Sequence, residues 1–336
     1  MNVLVTGGAG YVGSHALIEL LGAGHTPVVF DNLSEGHEQA VGGCRLVRGD
    51  LADEEQIAAA LEEAGAEAVM HFAASAYVGE SVTNPEKYYF NNVVSSLRLL
   101  RAMRRKGVEK LVFSSSCTLY GVPASVPITE ELPVQPINPY GRTKAAVEGI
   151  LADYAGAYGL RYASLRYFNA AGAAPDGSIG EDHDPETHLI PLVIHAAQGK
   201  RDHIAVFGTD YPTPDGTCVR DYVHVLDLAT AHVAALEALD ERPVMIYNLS
   251  TGEGHSVHEV IDVVRDVSGR EFEVREAPRR PGDPPELVGS HGKVRRELGW
   301  EPRYPSLREI VETAWAWHSA HPEGFAGTAA PGPATG

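Results

Sequence analysis

Basic residues are scarce in this chain. Its 336 residues include 27 Lys and Arg against 45 Asp and Glu, a formal net charge of −18. Such a surface lacks the basic face that DNA or RNA needs, so no nucleic-acid partner is expected. A small anionic ligand is compatible with it, because that takes only a few local donors. Cysteine is scarcer still. Cys44, Cys117 and Cys218 fit neither CxxC nor a zinc pattern. Free thiols in a cytoplasmic, reducing setting are the simple expectation. Although there are 15 histidines, no HExxH spacing occurs, and no metal site is expected even where His183, His188 and His195 lie close together. Long apolar runs are missing too: none approaches the roughly 20 residues that span a bilayer, so no membrane association is expected. Val3-Leu4-Val5 leads straight into glycines, unlike a signal peptide.

What is present is an ordinary globular composition, 44% hydrophobic and 21% charged. Short apolar runs at Val3–Val5, Thr26–Phe30, Arg45–Val47, Ala68–Phe72, Leu111–Ser114 and Tyr162–Tyr167 read as buried strands. Between them, 12–22, 53–63 and 86–105 carry helical spacing. This alternation predicts an α/β fold, a doubly wound parallel sheet of the Rossmann type, over residues 1–168. The rhythm then breaks. Gly, Pro, Asp and His crowd 172–187, Pro and Gly recur at 208–216, and Pro278–Pro285 is a turn region. A smaller C-terminal α/β substrate lobe over 169–323 is expected, with about 215–250, including a strand at Val244–Leu249, returning to the sheet. Gly324–Gly336, rich in Gly, Ala and Pro, is expected to be disordered. Trp315 and Trp317 are expected to be packing residues.

After the first strand come Thr6-Gly7-Gly8-Ala9-Gly10-Tyr11-Val12-Gly13. Gly7 permits a tight turn, Gly10 lets backbone approach a pyrophosphate, and Gly13 lets the following helix pack closely. The helix N-terminus then offers free N–H groups to phosphate. Asp31, 18 residues after Gly13, ends the second strand. A carboxylate there accepts from both ribose hydroxyls and repels a 2′-phosphate, and no Lys or Arg follows before Arg45. NAD is expected rather than NADP. Asp50-Leu51 ends the third strand and can receive the adenine amino group, or Asp50 can cap the helix near Asp53.

Asn138-Pro139-Tyr140-Gly141-Arg142-Thr143-Lys144 reads as a helix start, with Asn138 as cap and Pro139 in the first position. Tyr140 and Lys144 then share one face. Bringing a tyrosine from its free pKa of about 10 to near 7 takes roughly 4 kcal/mol. A neighbouring ammonium lowers such a pKa by about one to three, and a positive nicotinamide ring can add the rest. Upstream, the hydroxyls of Ser114, Ser115, Ser116 and Thr118 end a strand facing the same cleft and can relay a proton.

These residues resemble the extended short-chain dehydrogenase/reductase family and, within it, the UDP-glucose (UDP-galactose) 4-epimerase family, from Thr6 to about Pro302. The resemblance rests on 6–15, on His71-Phe72-Ala73-Ala74, on Val78-Gly79-Glu80-Ser81-Val82 and on Asn91-Asn92. It continues in 114–121 and in Leu165-Arg166-Tyr167-Phe168-Asn169. Its most specific parts are Gly216-Thr217-Cys218-Val219-Arg220-Asp221-Tyr222-Val223-His224-Val225 and Arg280-Pro281-Gly282-Asp283. By position, it implies Tyr140 as base, Lys144 on the nicotinamide ribose and Ser116 assisting the proton. It places Gly7, Gly10, Tyr11, Val12, Gly13, Asp31, Asn32, Asp50, Leu51, Phe72, Ala73, Ala74, Asn92, Ser114 and Tyr167, with Tyr140 and Lys144, around NAD. It places Ser116, Tyr140, Asn169, His188, Leu189, Ala205, Phe207, Arg220, Arg280, Asp283 and Leu287 around a UDP-sugar. Ala205 and Phe207 are implied to lie near the base. It also implies oxidation at carbon 4, rotation of the keto sugar and return of the hydride, in a homodimer joined through 86–105 and 139–158.

The chain departs from the best-known members at three positions. Ala76 stands for a lysine at the cofactor, His188 for an asparagine at the substrate, and Leu287 for a tyrosine or small residue gating the sugar. These leave the reaction class standing and leave open the sugar: UDP-N-acetylglucosamine, UDP-arabinose, UDP-glucuronate or a TDP-hexose. A nucleotide-sugar 4,6-dehydratase is disfavoured, since Cys117-Thr118 stand where such enzymes carry Asp-Glu. A non-catalytic NAD-binding protein would be expected to lose Tyr140 and Lys144. Denaturing the purified protein should release NAD(H); recovery of mainly NADP(H) would contradict the role given to Asp31.

Overall fold

The computed structural model describes residues 1–280 and 283–327. The strands in chain order are β1 (Asn2–Thr6), β2 (Thr26–Asp31), β3 (Arg45–Arg48), β4 (Ala68–His71), β5 (Lys110–Ser114), β6 (Arg161–Tyr167) and β7 (Asn169–Ala171). Then come β8 (His203–Phe207), β9 (Val219–Arg220), β10 (Tyr222–His224), β11 (Val244–Leu249), β12 (His255–Ser256), β13 (Glu273–Ala277) and β14 (Glu286–Leu287). The main sheet has the order β11-β6-β5-β4-β1-β2-β3, with every pairing parallel. The doubly wound reading is thus correct, and the order reverses at β1, where such sheets open their ligand crevice.

Alternation within the strands divides the core. Val3 and Val5 of β1 pack with Leu17, Leu20, Leu228 and Leu236 on one face. Leu4 joins Ile57, Leu61, Leu99, Leu100 and Val147 on the other. The helices that cover these faces are α1 (Tyr11–Gly22), α2 (Glu54–Glu63), α3 (Val78–Thr83), α4 (Pro85–Tyr88), α5 (Ser95–Lys106) and α6 (Pro139–Tyr158). The remaining helices are α7 (Leu189–Ala197), α8 (Val225–Ala238), α9 (Val257–Ser268), α10 (Gly292–Leu298) and α11 (Leu307–Ala320). The return to the sheet is made by α8, which packs on α1, and by β11 beside β6. Strands β7 to β10 and β12 to β14 pair in small sheets outside it. There α7, α9 and α11 bury Val193, Ile194, Val260, Ile261, Ile310 and Val311. Among the described residues, no helix is long and apolar enough to cross a membrane.

Two expectations need correction. The stretch 86–105 is not one α-helix, because Tyr89–Val94 is wound as π-helix between α4 and α5. Insertions of this kind recur at functional sites, and this one delivers Asn91 and Asn92 to the loop at Ser75. The tail is ordered further than its composition suggests. Phe325 is buried against Trp317 and His37, and its N–H donates to Asp182. One large apolar side chain is enough to anchor a flexible segment that passes a hydrophobic cluster. The rest of the expected disorder, 328–336, lies outside the described residues.

Helix α6 is tied to the sheet by a buried network. Arg166 of β6 donates from Nε and Nη2 to Glu148 at 2.6–3.2 Å, and Ser115 donates to the same carboxylate at 2.6 Å. Arg166 also donates to the Tyr120 hydroxyl at 2.9 Å, and Tyr120 donates to Asn248 at 2.7 Å. Breaking a buried pair strands one charge. Glu148→Gln should therefore cost about 3–5 kcal/mol in denaturant unfolding, with part recovered by adding Arg166→Met. A loss within about 0.5 kcal/mol, the size of an ordinary surface substitution, would mean that α6 is held by other contacts.

Candidate active site

The carboxyl ends of β1, β2, β4, β5 and β6 meet along one edge of the sheet, where local sequence has placed glycines, acids and hydroxyls. Gly7 has φ +73°, and a Cβ there would lie 2.4 Å from Ala73 N. At Gly13 it would lie 2.2 Å from Gly7 O. These two glycines are therefore demanded by packing. Gly10 differs: a Cβ there would meet only Gly7 O, at 3.4 Å, and no side chain caps α1. Its space and the N–H groups behind it are left for a ligand, which fits a pyrophosphate. Tyr11 donates to Gly172 O at 2.6 Å, joining this loop to the second half of the chain. Val12 packs against the core.

Asp31 accepts from Ala9 N and Leu33 N at 3.0 and 2.8 Å, so its carboxylate faces the glycine loop. Burial pushes its carboxyl above the ordinary range, against those hydrogen bonds. Arg48, its register neighbour on β3, is turned to Glu38 instead. Asp53, and not Asp50, is the side chain that caps α2, while Asp50 Oδ1 accepts from Ala52 N at 2.7 Å. Asp50 receives Asn32 Nδ2 at 3.0 Å, and Leu51 is buried beside it. Thr6 and His71 share a 2.7 Å hydrogen bond, and His71 meets Ser96 at 2.8 Å. Burial, then the charge of Lys144, lowers His71 to about 3, so it is neutral. Beyond it, Phe72 lies against the His232 ring at 4.8 Å, Ala73 N donates to Thr6 O, and Ala74 is half-buried. Both N–H groups of the Asn92 amide are taken by Ser75 O and Thr143, so Asn92 positions its neighbours.

Three consecutive serines have three tasks. Ser114 donates to the Tyr167 hydroxyl at 3.0 Å, and its carbonyl accepts from Lys144 Nζ at 2.8 Å. Ser115 holds Glu148. Ser116 accepts from Thr118 N and Oγ1 at 3.2 and 3.0 Å and is hydrogen-bonded to Tyr140. As the spacing predicts, α6 begins at Pro139 with Asn138 as its cap, and Lys144 Nζ lies 5.8 Å from the Tyr140 ring centre.

The electrostatics depart from the sequence expectation. Without ligand, burial drives the Tyr140 phenol well above its usual range, with the hydrogen bond to Ser116 opposing. Burial also lowers Lys144 to about 7, against the pull of Glu148. The ammonium alone does not make Tyr140 a base here, because both groups lose the same hydration.

Around the second half of the cleft, Asn169 donates to Asp221 O at 2.9 Å. Arg220 is 3.4 Å from Asp283, and Leu287 is its register partner across β9–β14. The charge of Arg220 reaches the buried Cys117 thiol, next to Ser116, so this group adjoins the serine strand. Leu287 also packs on the main core. Phe207 and Ala205 lie on β8, with the Arg280 guanidinium 4.0 Å over the Phe207 ring. Pro281 and Gly282 of that signature lie outside the described residues.

Sequence reasoning gave Asp221 no role. It is the hub of this region, accepting from Thr251, Gly252 and Gly289. Burial raises its carboxyl to about 6 even so. His188 precedes α7 and Leu189 begins it, but His188 Nδ1 is turned 2.6 Å from Glu181. Burial alone would lower the histidines here, yet Glu181 and Glu186 raise His183 to about 9 and His188 to about 10. Glu181, His183, Glu186 and His188 thus come together in this loop without any HExxH spacing to mark them.

The model of a family described as "NAD dependent epimerase/dehydratase family" matches residues 3–250. A UDP-glucose 4-epimerase of Halalkalibacterium halodurans is 49% identical over 97% of this chain and 98% of its own. The Brucella ovis UDP-glucose 4-epimerase in complex with NAD superposes with a TM-score of 0.91 at 51% identity, covering 94% of this chain and 97% of that one. The Bifidobacterium longum UDP-glucose 4-epimerase in complex with NAD⁺ and UDP gives 0.93 at 39% identity, covering 97% and 100%.

The glycines generate a clear expectation. Gly7→Ala and Gly13→Ala should destabilise the cofactor-free fold, because each added carbon overlaps backbone. Gly10→Ala should unfold within about 1 kcal/mol of the wild type while binding NAD roughly tenfold more weakly or worse, because a well-aligned charge-assisted contact is lost. Calorimetric titration beside thermal melts separates the two. Equal behaviour of all three variants would deny Gly10 its place against the ligand.

Proposed function

The chain belongs to the NAD-dependent epimerase/dehydratase family, and from that premise we propose that it is an NAD-dependent isomerase, a 4-epimerase that interconverts UDP-glucose and UDP-galactose. The observation carrying this reading is the buried group of Tyr140, Ser116 and Lys144 beside the glycine loop. Cys117 is buried and Thr118 is engaged by Ser116, so no carboxylate stands there for a dehydratase.

Bound NAD supplies reversible oxidation at carbon 4 of the sugar. Tyr140 takes the 4-hydroxyl proton and returns it, with Ser116 holding the phenol in line. Its raised pKa keeps the proton on until positive charge adjoins it. Lys144, fixed to Ser114 O, keeps two ammonium donors for the cofactor's ribose. Arg220 and Arg280 suit the pyrophosphate of the UDP-sugar, since guanidinium binds phosphate in bidentate fashion. Leu287 and Phe207 give the sugar an apolar wall with few fixed donors, which lets it turn between two faces.

A cytoplasmic homodimer is part of the same proposal. Support comes from free thiols and from exposed apolar side chains along 78–97 and at the end of α6: Val82 at 62%, Phe90 at 58% and Tyr158 at 50%.

Incubation with UDP-glucose, UDP-N-acetylglucosamine, UDP-arabinose, UDP-glucuronate and TDP-glucose, with NMR of the products, tests the function. UDP-galactose should dominate, and a 4-keto-6-deoxy product or inert UDP-glucose would overturn the reading. Tyr140→Phe should bind UDP normally and lose about 10²–10⁴-fold in turnover. Lys144→Ala should move the acid limb of the pH–rate profile to higher pH, because removing a positive charge raises the phenol's pKa in the loaded site. An unmoved limb would mean that Lys144 serves only to hold the ribose.

A further inference from the structure

We propose that Glu181, His183, Glu186 and His188 form a binding site for one divalent transition-metal ion of the zinc class, which fastens the 172–188 loop between the glycine loop and α7. Each of the four side chains offers one ligand atom, and these atoms lie within 4.8 Å of one another. His183 Nδ1 is 3.2 Å from Glu181 Oε1 and 3.7 Å from Glu186 Oε2. His188 Nδ1 is 2.6 Å from Glu181 Oε1 and 3.3 Å from Glu186 Oε1. Four atoms bound at about 2.0–2.1 Å around a tetrahedral ion stand roughly 3.3–3.4 Å apart, within this spread.

A second observation points the same way. The Glu181 side chain is only 3% exposed, and its Oε1 has no hydrogen-bond partner. His183 Nδ1 is likewise buried without one. Their closeness thus lacks hydrogen-bond alignment, as when donor atoms aim at a common point and not at each other. Glu186 is oriented from behind, since its Oε1 accepts from Thr187 N and His188 N at 2.6 and 2.7 Å. Supporting contacts of this kind set a metal ligand's direction. Asp182, between the ligands, is engaged elsewhere by Phe325 N and His37.

Two imidazoles with two carboxylates select zinc over magnesium or calcium, which take oxygen ligands. With four protein ligands the site is of the closed, structural type. Tyr11 of the glycine loop and Tyr77 each present a ring edge-on to His183 at 6.1 Å. His188 leads into α7 and, at 46% exposed, is the ligand open to solvent and the ion's way in.

The test uses untagged full-length protein stripped with a chelator and then given zinc sulfate. Elemental analysis after gel filtration should find one zinc per chain, and the melting temperature should rise by roughly 5 °C. X-ray absorption should show nitrogen and oxygen at about 2.0 Å and no sulfur. His183→Ala should weaken zinc roughly tenfold or more. Since that residue is largely buried, His188→Ala, at the open edge, serves as the second variant and should do the same while folding normally. Wild-type protein that retains no zinc would make the cluster two imidazolium–carboxylate pairs and end the proposal. So would zinc bound equally by both variants, or displaced by equimolar magnesium.

Discussion

Burial of a phenol and an ammonium side by side is the constraint on which the site depends. Tyr140 and Lys144 are 7% and 3% exposed. Dehydration opposes both charged forms, so the protein without ligand keeps the phenol protonated and brings the lysine near neutrality. A base made in this way is silent in the empty cleft and responds to the charge of what binds. Water is excluded by the same packing, which also strengthens each electrostatic contact inside.

The rest of the fold can be understood as holding that pair still. Lysine is anchored by a strand-end carbonyl, and α6 is bolted to β5 and β6 through Glu148, Ser115 and Arg166. On the other side, the π-helical turn brings Asn92 onto Thr143, one helical turn from Tyr140. Asp221 performs the equivalent service for the second half, holding the segments that carry Arg220 and Leu287. Glu148, Arg166, Asn92 and Asp221 are each satisfied by several partners, as the low interior dielectric requires.

Much of this was legible in the residues. The seven strands of the main sheet were found from apolar runs because parallel strands covered on both faces are apolar throughout, whereas the short strands β7–β10 and β12–β14 outside it were not. Asn138-Pro139 marked the start of α6 because a cap and a proline have strictly local preferences. The glycine loop could be interpreted residue by residue, and Gly7, Gly10 and Gly13 differ in the structure as their assigned tasks differ. What escaped were the π-helical winding at Tyr89–Val94 and the burial of Phe325, each settled by distant neighbours.

By itself, then, the sequence determined the strands of the main sheet, the glycine loop, the place of Asp31 at the end of the strand that follows it, and the helical spacing of Tyr140 and Lys144. All of these follow from periodicity and steric rules that act over a few residues. Only the tertiary structure decided the direction of the Tyr140 and Lys144 shifts and the pairing of Arg220 with Asp283, 63 residues apart. It alone gathered Glu181, His183, Glu186 and His188 from an irregular loop. Hydration is lost to all neighbours at once, and a loop without a repeat carries no spacing rule, so neither outcome is written in any local stretch of chain.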